Sequence, residues 1–400
     1  MSNGHNIFGC ACAAVFALTS LTIHAAPYVP TSDATPLERL SSKPGEGGAA
    51  ERSSRAMRAL LARDPKNADL AVRIAQSYVS RSRSESDPRF LGQAQSALAA
   101  WWTDPSPPIA ILLLRATIRQ STHDFANALR DLEQAVKREP GNAQAWLTMA
   151  TVLQVTGDLK GAADSCRKVL PLAPPLIGVT CMAGIDGAEG RAVQAYDALN
   201  IAMAASESNR RDSIGVRTWA LTLQAEIAER LGRKADAERL YRASLALDPA
   251  DAYAIAAYCD FLIDGGRASE VLTLIPANTK ADVLLLRRAI AAKLVNAPDA
   301  AEVVKDLGER FAASKARGDR VHLREEARYA LAINNQPQEA LALARQNWQV
   351  QKEPLDARIA LESALAARQP QAVADVLQFI DSTRLQSEKI TQLVAQLKAQ

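Results

Sequence analysis

Residues 143–174 read AQAWLTMATVLQVTGDLKGAADSCRKVLPLAP, and this stretch decides the fold. Trp146, Met149, Ala150 and Leu153 recur at i, i+3, i+4 and i+7, which places them on one face of a helix. Gly157 can take the left-handed backbone conformation that stops such a helix, and Asp158 follows it. A second amphipathic helix starts at Leu159, carries Ala162, Cys166 and Val169 on one face, and stops at Pro171 and Pro174. Two short helices joined by a turn expose too much apolar surface to be stable alone. Stacked copies bury it, so the unit is expected to repeat.

A period is present. Prolines closing Ala- and Leu-rich stretches stand at Pro65, Pro105, Pro140, Pro174 and Pro249, at spacings of 40, 35, 34 and 75. The longest is two periods of 34 with 7 residues over, and the spacing of 40 carries the polar insert 80–87. Turns at Gly157-Asp158, Gly232-Arg233 and Gly266-Arg267 keep the same beat, 75 and 34 residues apart. Two markers on one period predict an array of helix pairs.

On these residues the chain resembles the tetratricopeptide-repeat family. Trp146 occupies the aromatic position, Ala150 the small position of the first helix, Ala162 the small residue where the helices cross, and Pro174 the end. Residues 109–142 match through Ala116, Phe125, Ala128, Ala135 and Pro140, but place Arg115 and Arg119 where the family has a large apolar residue and an aromatic. Residues 218–251 match through Ala225, Gly232, Ala237, Tyr241 and Pro249, and residues 68–105 through Ala75, Tyr78, Ala94 and Pro105. Residues 252–276 begin with Tyr258 and Gly266 and are cut short by Pro276, while 176–206 form a degenerate unit around Gly187, Ala192 and Tyr196. The resemblance implies an all-α protein, an α-solenoid wound as a right-handed superhelix of stacked helix pairs. The array is expected over 51–276. Divergent pairs follow over 277–400, where helical segments alternate with breaks such as Pro298, Pro337, Pro354 and Pro370 and end in a capping helix at 387–398.

The resemblance also implies a peptide or helix bound in a concave groove lined by the first helix of each pair. By position the groove residues are Leu113, Thr117 and Gln120; Gln144, Leu147, Thr151 and Gln154; Trp219, Thr222, Glu226 and Glu229; and Tyr253 and Asp260. Family members that clamp a C-terminal carboxylate use Lys, Arg and Asn at such positions. Leu113, Thr117, Leu147 and Thr151 stand here instead, so the expected groove is neutral to mildly apolar and suits a hydrophobic strand or an amphipathic helix.

Composition agrees with helices and narrows the partner. The 400 residues are 48% hydrophobic but only 5% aromatic, which disfavours a sandwich or barrel. Lys and Arg number 47 against 44 Asp and Glu, a balance too even to suggest nucleic acid or a membrane surface, and a protein partner is what the resemblance implies. Outside the N-terminal segment the histidines are His123, at a helix-turn position, and His322, between helices, and both are read as surface turn residues. The sequence has no H-E-x-x-H, zinc-spaced Cys/His cluster, G-x-S-x-G or phosphate loop. Gly184, Gly187 and Gly190 read as a turn. No cofactor or metal is expected and the chain is read as non-catalytic; the competing reading is an enzyme, or the helical accessory part of a cell-wall hydrolase.

The N-terminus reads as an address. The uncharged run Ile7–Ile23 precedes His24-Ala25-Ala26-Pro27, which predicts a signal peptide over 1–25 cut after Ala25, with an uncleaved anchor as the alternative. Residues 26–50, dense in Pro, Gly and Ser, read as a flexible leader. The mature chain is then periplasmic or secreted, without a membrane span, and an envelope complex is its expected setting. Export would allow a Cys166–Cys181 disulfide, yet a chain of this length needs no staple, so Cys166, Cys181 and Cys259 are expected to be buried thiols.

Overall fold

The computed structural model describes residues 49–85, 87–209, 212–318 and 321–400. The proposed signal peptide and most of the leader lie outside the described residues, and Ala49 and Ala50 already belong to the first helix. Among the described residues there are twenty α-helices and no strand. They are α1 (Ala49–Arg63), α2 (Ala68–Glu85), α3 (Arg89–Ala97), α4 (Ile109–Ser121), α5 (Phe125–Arg138), α6 (Ala143–Thr156) and α7 (Leu159–Val169). Next come α8 (Pro175–Ala188), α9 (Ala192–Asn209), α10 (Ile214–Arg230), α11 (Lys234–Leu247), α12 (Ala252–Asp264), α13 (Ala268–Leu274) and α14 (Asp282–Leu294). The last six are α15 (Ala300–Ala316), α16 (Leu323–Ala332), α17 (Pro337–Trp348), α18 (Pro354–Ala367), α19 (Ala374–Thr383) and α20 (Glu388–Lys398).

Helix boundaries follow local chemistry. Asn142, Asp158, Ser213 and Asp251 each accept a hydrogen bond from a first-turn backbone N–H, satisfying donors that the helix itself leaves unpaired. Gly157 closes α6 with φ 89°, a conformation that favours glycine. Of the three glycines read as a turn, only Gly190 lies in one; Gly184 and Gly187 are inside α8. Their missing side chains let neighbours approach. A Cβ at Gly187 would stand 2.9 Å from Nη2 of Arg230 and 3.3 Å from Ile227, and one at Gly184 would stand 3.3 Å from Gln154.

Stacking is asymmetric, and the asymmetry makes a concave side. The even-numbered helices from α2 to α18 pack successively on one another, whereas the second helices of the pairs make no comparable mutual contacts. The even-numbered helices are therefore the inner layer of an α-solenoid. Fully buried alanines stand where paired helices cross, including Ala116 and Ala128, Ala225 and Ala237, and Ala162. A methyl group there lets the backbones approach where a larger side chain would force them apart.

Two sites depart from the sequence reading. Arg115 is buried, and its guanidinium binds Asp131 of α5 through Nε (2.9 Å) and Nη2 (2.7 Å) while Nη1 donates to the carbonyls of Trp101, Trp102 and Asp104. Arg119 adds a 2.6 Å bond to the same carboxylate. An ion triad thus replaces the apolar contacts the family places there. Cys166 and Cys181 are joined in a disulfide between α7 and α8, contrary to the expected thiols, and Cys259 is free and buried. The helix pair brings the two Cα atoms to 5.6 Å, within bonding range, which chain length alone does not reveal.

Two outcomes follow for stability. Ala237→Leu should lower it by about 1–3 kcal/mol through overpacking at the α10–α11 crossing, measured by urea unfolding. Reduction of the disulfide, which closes a loop with a sequence separation of 15, should cost about 3 kcal/mol, read as a lower unfolding midpoint in reductant.

Candidate protein-interaction surface

The inner layer carries the residues that repeat position assigned to a groove, but they divide into three groups. At the amino-terminal ends of the inner helices the surface is uncovered. Gln144 is exposed, Trp219 is 37% exposed and Tyr253 is 63% exposed. The Tyr253 hydroxyl donates to Glu226 of the preceding inner helix at 2.7 Å. Leu113, Thr117, Gln120, Leu147, Thr151 and Gln154 are half-buried, and the Thr117 and Thr151 hydroxyls donate to carbonyls of their own helices.

Thr222 leaves the groove altogether. It is buried and hydrogen-bonds Ser244 of α11 at 2.8 Å, because its place on α10 faces the partner helix and not the concave side. Asp260 is also corrected from partner contact to internal pairing. Its carboxylate takes Nε (3.1 Å) and Nη2 (2.8 Å) of Arg287 from α14, and both terminal nitrogens of Arg328 from α16 at 2.9 Å. Burial pushes this carboxyl up, and the two guanidiniums outweigh that and hold it well below the usual carboxylate range. One turn later Asp264 binds Arg358 of α18, with Nη2 at 2.7 Å. Asp264 was missed in the sequence, although its i+4 spacing from Asp260 sets both on one helix face.

Because α14, α16 and α18 converge on the end of α12, the carboxy-terminal helices reach the turn side of earlier repeats. The Lys352 backbone N–H donates to the Val155 carbonyl at 2.8 Å, and Gln386 Oε1 accepts from Ala192 N–H at 3.0 Å. Val350 and Phe379 pack on the apolar clusters bordered by Leu113, Leu147 and Leu153. A Cβ added at Gly190 would stand 2.9 Å from Arg384, and one at Gly232 would stand 2.5 Å from Glu388. The concave side is therefore covered along its turn edge and uncovered along the other.

Two glutamates on the inner face have no guanidinium partner within ion-pair distance among the described residues. Burial pushes the Glu226 carboxyl up to about 7, against the opposing hydrogen bond from Tyr253; nearby Arg230 and Arg324 lower it and Glu353 raises it. Burial does the same to Glu229, up to about 7, against the hydrogen bond it accepts from Tyr241 at 2.8 Å; Asp264 and Asp260 add to the rise and Arg358 opposes it. His123 and His322 lie in the α4–α5 turn and at the start of α16, against Phe125 and Phe311. No helix among the described residues is long and apolar enough to cross a membrane.

Residues 121–175 match the family model described as tetratricopeptide repeat. No curated protein matches the chain by sequence. Among solved structures, it is similar to a tetratricopeptide repeat protein from Parabacteroides merdae at 13% identity and TM-score 0.36, over 72% of this chain and 98% of that one. The anaphase-promoting-complex assembly Cut9–Hcn1 aligns at 13% identity and TM-score 0.43, over 86% of this chain and 58% of that one. Yeast Tom70 aligns at 12% identity and TM-score 0.36, over 87% and 95%.

The glutamates give a pH dependence of definite sign. Their folded-state values near 7 lie above the ordinary 4.5, so the folded state favours their protonated forms. That contribution is complete below about 4.5 and is lost as pH rises through about 7. Thermal unfolding between pH 5 and 8 should show a midpoint falling with pH, and the Glu226→Gln, Glu229→Gln double variant should flatten that slope and melt higher at pH 8.

Proposed function

We propose, from the tetratricopeptide-repeat match over residues 121–175 and the stacked helix pairs around it, that the chain is an exported, non-catalytic scaffold gripping a protein segment on the uncovered edge of its concave face. The observation that carries this reading is the exposure of Trp219 and Tyr253 on the inner layer, ring area that a bound partner would take out of water. Aromatic side chains are the commonest binding anchors in protein interfaces, because they bury large areas while losing few rotamers. Glu226, held against the Tyr253 hydroxyl, sets a polar mark beside the ring that an amide or hydroxyl of the partner can meet.

Export is supported by two independent features. The run Ile7–Ile23 with Ala25 and Ala26 has the form of a cleavable signal, and a disulfide such as Cys166–Cys181 persists in an oxidising compartment. Both features support a periplasmic or extracellular scaffold, with an envelope protein as the partner class.

A photoreactive phenylalanine analogue placed at Trp219 or Tyr253 should give a defined protein adduct in the envelope of producing cells. The same analogue at Ile201, 74% exposed on second helix α9, should give none. No adduct from either inner position, or one common adduct from all three, defeats the reading.

A further inference from the structure

The connection between α17 and α18 meets α6 in a way that a foreign peptide could copy. Helix α6 ends at Thr156, and its last carbonyls have no partner within the helix. The N–H groups of Gly157 and Asp158 cap the carbonyls of Gln154 and Leu153. Of the two that remain, Val155 and Thr156, the Val155 carbonyl accepts from the Lys352 backbone N–H at 2.8 Å. Residues 351–353 belong to no helix and Glu353 is extended, so the donor is a main-chain amide outside regular structure, a group that every peptide has.

Side chains on either side of that bond add selectivity. Val350 packs on the cluster containing Phe125, Met149 and Val152. The Lys352 stem crosses Gly157, where a Cβ would stand 2.8 Å from Lys352 Cδ and 3.4 Å from the Phe379 ring. Gly157 thus both ends α6 and leaves room for an aliphatic stem. Both Val350 and Lys352 are half-buried, at the rim of the core. Helices α17 and α18 are held to each other without α6. Asn347 donates to Asp356 at 2.6 Å, Arg324 binds Asp356 at 2.6 Å and Glu353 at 2.5 Å, and Trp348 is buried. None of these contacts involves α6.

We propose that residues 350–352 are an internal stand-in for a ligand, and that a partner's extended segment, with an aliphatic side chain two residues before a basic one, binds the end of α6 by displacing them. The recognised chemistry is one backbone amide for the Val155 carbonyl, one aliphatic group for the Phe125–Met149–Val152 cluster, and one long cationic stem over Gly157. The displaced segment satisfies the same three demands, so the exchange leaves no buried group unpaired. The folded chain would in this way hold part of its concave face closed until a competing segment arrives.

This inference rests on the concave face being the partner surface, which the crosslinks from Trp219 and Tyr253 test separately. Displacement is tested on the full chain with a fluorescent peptide of residues 347–355, Asn-Trp-Gln-Val-Gln-Lys-Glu-Pro-Leu. Val350→Asp should bind it about tenfold more tightly than the unchanged chain, because apparent affinity scales with the fraction of molecules whose site is vacant. Phe379→Ser, which loosens the same contact from α19, should act alike and serves if the first variant does not fold. A peptide carrying Asp in place of its valine should lose the gain. Equal affinity for the unchanged chain and a folded variant, no binding to either, or a gain that survives in the Asp peptide would each overturn the proposal.

Discussion

Two carboxylates one turn apart at the end of α12, Asp260 and Asp264, collect arginines from three later inner helices: Arg287 from α14, Arg328 from α16 and Arg358 from α18. Taking these charges out of water costs several kcal/mol per ion, and the cost is offset only where paired hydrogen bonds are well formed. Both guanidiniums on Asp260 are bidentate, a geometry with little freedom of approach. The interaction therefore ties α14, α16 and α18 to the end of α12. The same carboxy-terminal helices and their connections reach the α6, α8 and α10 turns through Lys352, Gln386 and Glu388, and so cover one edge of the concave face.

Within each pair a different constraint operates. Alanines at the crossings allow close helix packing, and Gly184 and Gly187 extend the same economy of volume to the contacts of α8 with α6 and α10. The disulfide between α7 and α8 then ties one pair to the next along the chain. Local packing sets the pairs, the disulfide joins two of them, and long-range ion pairs tie the later inner helices to α12. Any partner must fit what these three leave uncovered, which centres on Trp219, Tyr253 and Gln144.

Much of this was legible in the residues themselves. Helix starts and stops followed from capping side chains, Gly157 and the prolines, and even the short α13 was foreshadowed by Pro276. The inner positions of Trp219, Glu226 and Tyr253 followed from the period. Thr222 did not, because a helical wheel gives an angle and not the width of the neighbouring helix that covers it. Asp260 did not, because its arginines stand 27 and 68 residues away, on helices where the motif had faded. Arg115 signalled a departure without revealing that Asp131, 16 residues on, would receive it.

By itself the sequence determined the helix pairs, their order and the residues at their crossings, because those depend on periodicity and capping within some tens of residues. Tertiary structure alone decided the Cys166–Cys181 bond, the ion cluster on α12 and the covering of the turn edge by Val350, Lys352 and Phe379. The reason is geometric. Each stacking step adds a small rotation that no single repeat encodes, and only the accumulated curve brings Lys352 beside Val155, nearly two hundred residues back along the chain.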